Sequence, residues 1–136
     1  MSKQLAHLTA SGVKAIHDEV LAAHGGLAGI RDEALLESAA ATPQATTMGR
    51  PLISDAFEIA AAYLFYICRN DPFLDGNKRT ALASSLVFLA ENDLFPVEVL
   101  PLNEWEALVL DVAAGTLDRS VTTQRFRSLV RALKRK

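Results

Sequence analysis

Apolar side chains recur at helical spacing along most of the chain, and the first segment shows the pattern clearly. Thr9 or Ser11 is placed to cap a helix that Gly25-Gly26 would end. Between these signals the apolar residues follow one helix face: Val13, Ile16, Val20 and Leu21. The pattern predicts a first amphipathic helix.

A second helix and an irregular loop are predicted next. Asp32 can cap the segment "EALLESAAA", and Pro43 ends that helix shortly afterwards. The following stretch, "TPQATTMGRPLI", is polar and interrupted by Pro and Gly. We therefore predict that it has no regular structure.

The most apolar segment is "DAFEIAAAYLFYICR", for which Ser54 is the predicted cap. Because it is apolar nearly all round, it should form the central, buried helix. Its purely apolar run, Ile59 to Cys68, is too short to span a bilayer, and no basic segment precedes an apolar start. We expect a cytoplasmic protein that makes no contact with a membrane.

Two further helices are predicted after a polar turn. The first runs from about Asn77 to Asn92, and the β-prone piece "FPVEVL" that follows can form one arm of a small hairpin. Asn103 and Glu106 have the spacing of a capping box for "EWEALVLDVAA", which Gly115 closes.

The last predicted helix is basic and begins at Ser120 or Thr122. From Arg125 onward it carries no acidic residue and six basic ones: Arg125, Arg127, Arg131, Lys134, Arg135 and Lys136. Such a face can contact nucleic acid, but it is more often solvated and complements the helix dipole. Nucleic acid is therefore not the expected partner.

These elements predict one all-α domain over residues 1–136, with about six helices and room for one short β-hairpin. A chain of 136 residues that is 50% hydrophobic is long enough to bury a single core. The only cysteine, Cys68, should be a buried thiol of that core. His7, His17 and His24 are expected to have surface or core roles, because metal sites need closely converging ligands.

The stretch "RNDPFLDGNKRTALASSLVFL" carries the chemistry. Gly76 permits a positive φ, so backbone N–H groups can converge there, and the following helix directs its N-terminal amides at the same place. Lys78 and Arg79 add positive charge, and Asp75 is placed to hold Mg²⁺. These features favour a site for nucleotide phosphates. An ordinary D-G-N turn with solvated basic residues is the alternative.

The segment "DPFLDGNKRTAL" resembles the motif of the Fic/Doc family, His-Pro-Phe-x-Asp/Glu-Gly-Asn-Gly/Lys-Arg. Residues 24–46 and "FEIAAAYLFYICRN" resemble the preceding regions of Doc-type members. The resemblance implies an all-α enzyme that moves part of a nucleotide onto a protein hydroxyl. Doc proteins are toxins of toxin–antitoxin pairs that phosphorylate elongation factor Tu. ATP and Mg²⁺ are thus the expected cofactors, and a small antitoxin that contributes a docking helix is the expected partner.

The resemblance also assigns roles by position. Phe73 would anchor the loop, and Asp75 would bind Mg²⁺. The expected phosphate and nucleotide site comprises Arg69, Gly76, Asn77, Lys78 and Arg79. Lys78 stands where adenylyltransferases usually have glycine, and Leu82 stands where they have a second arginine. Both features favour transfer of the γ-phosphate over transfer of AMP.

Asp71 stands where the family has its histidine, which accepts the proton of the target hydroxyl. Histidine is better matched to this task at neutral pH than aspartate, although aspartate is the base in protein kinases. Asp71 would also lie near Asp75 and the phosphates, so repulsion should weaken ATP binding. We predict strongly reduced activity. The alternatives are an adenylyltransferase, or an inactive module that binds antitoxin and nucleotide, in which Asp71 is only a turn residue.

Overall fold

The computed structural model describes residues 4–95 and 102–134, and these form six α-helices. The all-α prediction is confirmed. A 3₁₀ turn (Thr42–Gln44) and two short antiparallel strands, β1 (Thr46–Thr47) and β2 (Arg50–Pro51), lie between the second and third helices. The helices are α1 (Ala10–His24), α2 (Glu33–Ala41), α3 (Ala56–Asn70), α4 (Asn77–Glu91), α5 (Leu102–Ala113) and α6 (Arg119–Lys134).

Helix α3 is the centre of the domain, as its sequence predicted. It packs against α2, α4, α5 and α6. Eight of its residues are buried, among them Leu64 and Ile67 with no exposed surface. The buried body of α3 ends at an exposed turn, where the loop that follows it begins. None of the described helices combines the length and apolar character needed to cross a membrane.

The first two helices have the caps that the sequence predicted. The Thr9 hydroxyl accepts a hydrogen bond from the Gly12 N–H at 2.9 Å, so Thr9 and not Ser11 is the cap of α1. The Asp32 carboxylate caps α2 by accepting from the Leu35 N–H at 3.1 Å. Caps of this kind typically contribute about 1 kcal/mol each.

Three predicted helix starts are wrong by one to three positions. Helix α3 is capped by Asp55 and not by Ser54, because the Asp55 carboxylate accepts from the Glu58 N–H at 2.8 Å. Helix α6 begins at Arg119, earlier than predicted, because the Asp118 carboxylate accepts from the Val121 N–H at 2.8 Å.

The predicted capping box at the start of α5 is also wrong. The helix begins at Leu102, so Asn103 already lies inside its first turn and cannot be the cap. At α3 and α6 a neighbouring aspartate offered the same local signal as the predicted residue, whereas α5 begins without a polar residue just before it.

The region 42–53, predicted to be irregular, contains the short β1–β2 hairpin. Thr46 pairs with Pro51 and Thr47 with Arg50. The connecting residues, Met48 and Gly49, both have positive φ, at 52° and 79°. Two-residue turns with positive φ match the twist of a hairpin, which explains the pairing. Of the predicted hairpin arm at 95–100, Phe95 has no regular structure and the other residues lie outside the described part.

Helix α6 is tied to the domain through its arginines. Three of them pair with acidic side chains of α5 or of the first part of α3: Arg119–Glu58 at 3.0 Å, Arg125–Asp111 at 2.6 Å and Arg127–Asp55 at 2.8 Å. The basic helix is therefore not a uniformly solvated face. Part of its charge is already matched within the chain.

Candidate active site

A cavity of about 420 Å³ opens where α3 ends and α4 begins. It brings together six of the eight site residues that the sequence predicted: Arg69, Asp71, Asp75, Gly76, Asn77 and Lys78. Phe73 is buried beneath the loop, and Arg79 lines a neighbouring groove instead of the cavity. Cys68, Leu74 and Ala113 complete the wall.

Phe73 fixes the loop from below. Its ring is buried and stacks on the ring of His17, with 3.8 Å between centroids and 4° between planes. The Asn77 side chain bonds the same residue twice, accepting from the Phe73 N–H and donating to the Phe73 carbonyl oxygen, each at 2.9 Å. Both polar atoms of the Asn77 side chain are thus used to hold the loop. Of Asn77, the backbone N–H is the group left for the phosphate contact that the sequence predicted.

Asp75 is exposed but firmly held. Its carboxylate accepts from the Leu27 N–H at 3.0 Å and from the Gly76 N–H at 2.9 Å. These two hydrogen bonds hold the pKa of the Asp75 carboxyl below its usual value, so it is ionised at neutral pH. His17 Nε2 donates to the Asp75 carbonyl oxygen at 2.8 Å. Carboxylate oxygens retain further lone pairs, and Mg²⁺ prefers such ligands.

A segment from the end of α1 runs antiparallel to the loop, and we call residues 26–32 the clamp segment. The Leu74 N–H donates to the Gly29 carbonyl at 3.0 Å, and Ile30 and Phe73 form an isolated β-bridge. The N–H groups of Arg31 and Asp32 both donate to the Pro72 carbonyl, at 2.7 and 3.1 Å. The loop is therefore paired along most of its length.

Sequence reasoning missed the clamp segment, although its glycines carried a signal. Gly26 and Gly29 have φ of 126° and 128°, a conformation that other residues rarely adopt. A Cβ added at Gly26 would lie 2.9 Å from an Asp75 carboxylate oxygen, and one at Gly29 would lie 2.8 Å from a Leu74 methyl. The glycines leave room for the side chains of Asp75 and Leu74 beside the clamp segment.

Asp71 is the C-cap residue of α3 and adopts a left-handed conformation, with φ 52° and ψ 53°. This conformation costs roughly 1–2 kcal/mol for most residues, but Asp, Asn and His tolerate it better than others. The Asp71 side chain is 60% exposed and lines the cavity. A histidine at this position would suit the same backbone.

The start of α4 has no side-chain cap among the described residues and begins from a left-handed glycine. Gly76 precedes it with a φ of 77°, and no described side chain caps its first turn. The first N–H groups of the helix are therefore without the usual capping oxygen, and the positive end of the dipole faces the cavity. Lys78 lines both the cavity and the groove, and Arg69 lies over the Phe65 ring at 5.6 Å while lining the cavity.

The cysteine and the histidines outside this loop lie where a structural role is expected. Cys68 is buried in the core, as predicted, and this burial raises the pKa of its thiol to about 12. His17 is buried and His24 is exposed. Within residues 4–95 and 102–134, no three His, Cys, Asp or Glu side chains converge as metal ligands. Any Mg²⁺ bound here would rely on Asp75 together with phosphate oxygens, which is common for this ion.

Comparison with known proteins identifies the family. The Fic/DOC family matches residues 7–89, which is more than half of the chain. The protein kinase doc of Escherichia phage P1 is 34% identical over 123 residues, covering 90% of this chain and 94% of the phage protein. Toxin Doc of Mycolicibacterium smegmatis is 38% identical over 96 residues, covering 71% and 74%. The chain belongs to the Fic/Doc family, as its motif predicted, and both relatives are Doc proteins.

Proposed function

We propose that this protein is a Doc-type toxin that transfers the γ-phosphate of ATP to a protein hydroxyl, with elongation factor Tu as the target. The observation that carries the proposal is the uncapped start of α4 beside Asp75 and Lys78, in one cavity. The similarity to a protein kinase doc and to a Toxin Doc supports the same reaction class.

In this proposal the chain binds the phosphates through backbone N–H groups at the start of α4 and through Lys78, which lines the cavity. Arg69 supplies a second cation at the cavity wall. The ionised Asp75 carboxylate would hold Mg²⁺, which neutralises phosphate charge when bound. Asp75 and Lys78 thus offer opposite charges to the two parts of a metal–nucleotide complex.

Asp71 is the candidate proton acceptor because its carboxylate lies at the cavity. The target hydroxyl would lose its proton to Asp71, its oxygen would bond the γ-phosphorus, and the bond to the β-phosphate oxygen would break, releasing ADP. Aspartate performs this role in protein kinases. Here the carboxylate adds a negative charge near Asp75 and the phosphates, so we propose that the reaction is slow compared with that of a histidine-bearing protein.

A groove of about 440 Å³ next to the cavity is the proposed site for an antitoxin helix. It lies between α1, α4 and α5, and its floor is apolar: Val20, Leu82, Ala83, Leu86, Val109 and Leu110. Lys78 and Arg79 also line it, together with His24 and Glu106, and the two cations would favour an acidic residue on the partner. Amphipathic helices bind such grooves by residues spaced three and four apart.

The test of the proposed reaction is a gain of function. Asp71→His should raise phosphate transfer to elongation factor Tu by about 10²-fold or more, because imidazole is a better base at neutral pH. Asp71→Asn is the matched control, since asparagine tolerates the same left-handed backbone but cannot act as a base. ATP labelled at the γ- or the α-phosphate distinguishes phosphate transfer from AMP transfer. No labelled product with either nucleotide would contradict the proposal.

A non-catalytic binding module is the second candidate, and the aspartate at position 71 favours it. Such a module would bind ATP and the antitoxin without transferring phosphate. Calorimetry of ATP with the wild type, Lys78→Ala and Arg79→Ala tests the phosphate site separately. Weaker binding in Lys78→Ala, together with an inert Asp71→His variant, would favour the module over the enzyme.

A further inference from the structure

Arg31 bonds the chain at the point where α3 becomes the loop. Its Nε donates to the Asp71 carbonyl oxygen at 2.7 Å, and its Nη2 donates to the Asn70 carbonyl oxygen at 2.8 Å. Carbonyl groups at a helix end have no partner within the helix. Since the Arg31 N–H also donates to the Pro72 carbonyl at 2.7 Å, residue 31 holds three consecutive carbonyl groups.

We propose that Arg31 is a positioning residue that sets the conformation of residue 71, and through it the direction of the side chain at that position. The catalytic consequence rests on the proposed function, whereas the conformational one does not. Arg31 is not among the residues that line the cavity, so any effect on a bound nucleotide must pass through the loop.

The backbone bonds, more than the ion pair, carry this role. Arg31 Nε lies 3.8 Å from the Asp71 carboxylate, and both side chains are about half exposed. Exposed pairs at such distances contribute little. The two hydrogen bonds to carbonyl groups do not depend on the side chain at position 71. Arg31 should therefore set the direction of the histidine side chain in Asp71→His in the same way.

An arginine suits this position for a geometric reason. Its planar guanidinium presents Nε and Nη2 as two donors in fixed relation, whereas lysine offers a single point of charge on a flexible stem. Removing only the side chain leaves the Arg31 N–H bond to Pro72 in place. Arg31→Gln is therefore expected to keep the clamp segment paired while residue 71 loses its fixed conformation.

The test compares Arg31→Gln with Lys14→Gln, each in the wild type and in Asp71→His. Lys14 makes an ion pair with Glu33 at 2.8 Å and is similarly exposed, so its removal controls for the loss of a surface charge. The measurements are amide hydrogen exchange over residues 70–77, the melting temperature, and kcat and KM for transfer from γ-labelled ATP.

The Asp71 N–H donates to the Ile67 carbonyl at 3.1 Å, and we expect its exchange to become about 10-fold faster in Arg31→Gln alone. Exchange of the Leu74 N–H, which bonds the clamp segment, and of the helices should be unchanged. In the Asp71→His background, kcat should fall by about 10- to 100-fold while KM for ATP stays within about twofold, because the base and not the phosphate site is misplaced. Arg31→Lys should recover less than half of the lost kcat.

The outcomes separate this inference from the proposed function. Unchanged exchange in Arg31→Gln overturns the inference, and so does faster exchange with unchanged kcat in an active Asp71→His protein. Equal acceleration across all helices means general destabilisation and overturns it as well. If no variant transfers phosphate, but exchange accelerates at Asp71 only, the proposed function fails while the control of residue 71 by Arg31 stands.

Discussion

Met48 and Asp71 share a backbone φ of 52°, yet the turns around them are held in different ways. Met48 lies at the tip of the β1–β2 hairpin and is 96% exposed. Asp71 opens a loop whose carbonyls bond Arg31, whose aromatic residue is buried, and whose carboxylate at Asp75 is bonded to the clamp segment. One turn depends on its own residues, and the other on partners distant in the sequence.

The difference shows what a candidate catalytic loop needs. Arg31 is 40 residues from Asp71 in the sequence, and His17 is 58 residues from Asp75. A strained conformation persists only where the surroundings impose it, and strained residues concentrate at functional sites. The loop at residues 71–77 is held by such partners, so its strained conformation is imposed from outside. The hairpin turn has positive φ values but no distant partner of this kind among the bonds described here.

Among the substitutions that test this comparison, replacement of the buried Phe73 should lower the free energy of unfolding most. Phe73→Ala removes a ring that packs on His17 and should lower the free energy of unfolding by about 3–5 kcal/mol, because a cavity is left behind. Denaturant unfolding measures it. Leu74→Ala in the same loop is the control, since Leu74 is 51% exposed and its loss should be small. Equal losses for the two variants would contradict the assignment of Phe73 as the anchor.

A pair of glycine substitutions compares the two regions directly. Gly29→Ala should destabilise by roughly 2 kcal/mol, because φ is 128°, a conformation that a residue with a Cβ rarely adopts. Gly49→Ala should cost only about 1 kcal/mol, because φ is 79° and nothing lies within 4 Å. Thermal and denaturant unfolding of both variants give the values. A larger loss for Gly49→Ala would reverse the comparison.

A gain in stability is expected at the hairpin. Met48→Asn should raise the free energy of unfolding by about 0.5 kcal/mol, because asparagine followed by glycine is favoured where both residues have positive φ. Met48→Leu, which changes size little and keeps the unfavourable φ, serves as the control and should change nothing measurable. An Asn variant no more stable than the Leu variant would show that this turn is not strained.

The smallest effect concerns the pH dependence of the loop. Hydrogen bonds lower the pKa of Asp75 in the folded chain below its ordinary value of 3.8. Its contribution to stability is therefore fully present above that value and is lost as the pH falls through the lower pKa of the folded state. Denaturant unfolding at a series of acidic pH values should show this loss in the wild type. It should be absent in Asp75→Asn and retained in Asp18→Asn, which removes an exposed carboxylate of α1.

Local patterns were sufficient for the helices and for grouping six of the residues that line the cavity, but they failed at helix starts. Ser54 and Asp55 both suit a helix start, and only the bond to Glu58 selects Asp55. The hairpin was overlooked because Thr46–Thr47 and Arg50–Pro51 are too short to show a strand period. Arg79 lines the neighbouring groove, which sequence order alone could not show, and its predicted phosphate role stays a prediction.

The sequence by itself determined the six helices, the buried nature of α3, the turn at Gly76 and the set of charged residues near it. These depend on interactions within about four residues, such as caps and apolar periodicity. Only the tertiary structure decided that the clamp segment pairs with the loop and that His17 stacks on Phe73. It also decided that Arg31 holds the carbonyls around Asp71. Such contacts join residues brought together by helix packing, so even where glycines mark an unusual backbone, the partner cannot be read from neighbouring residues.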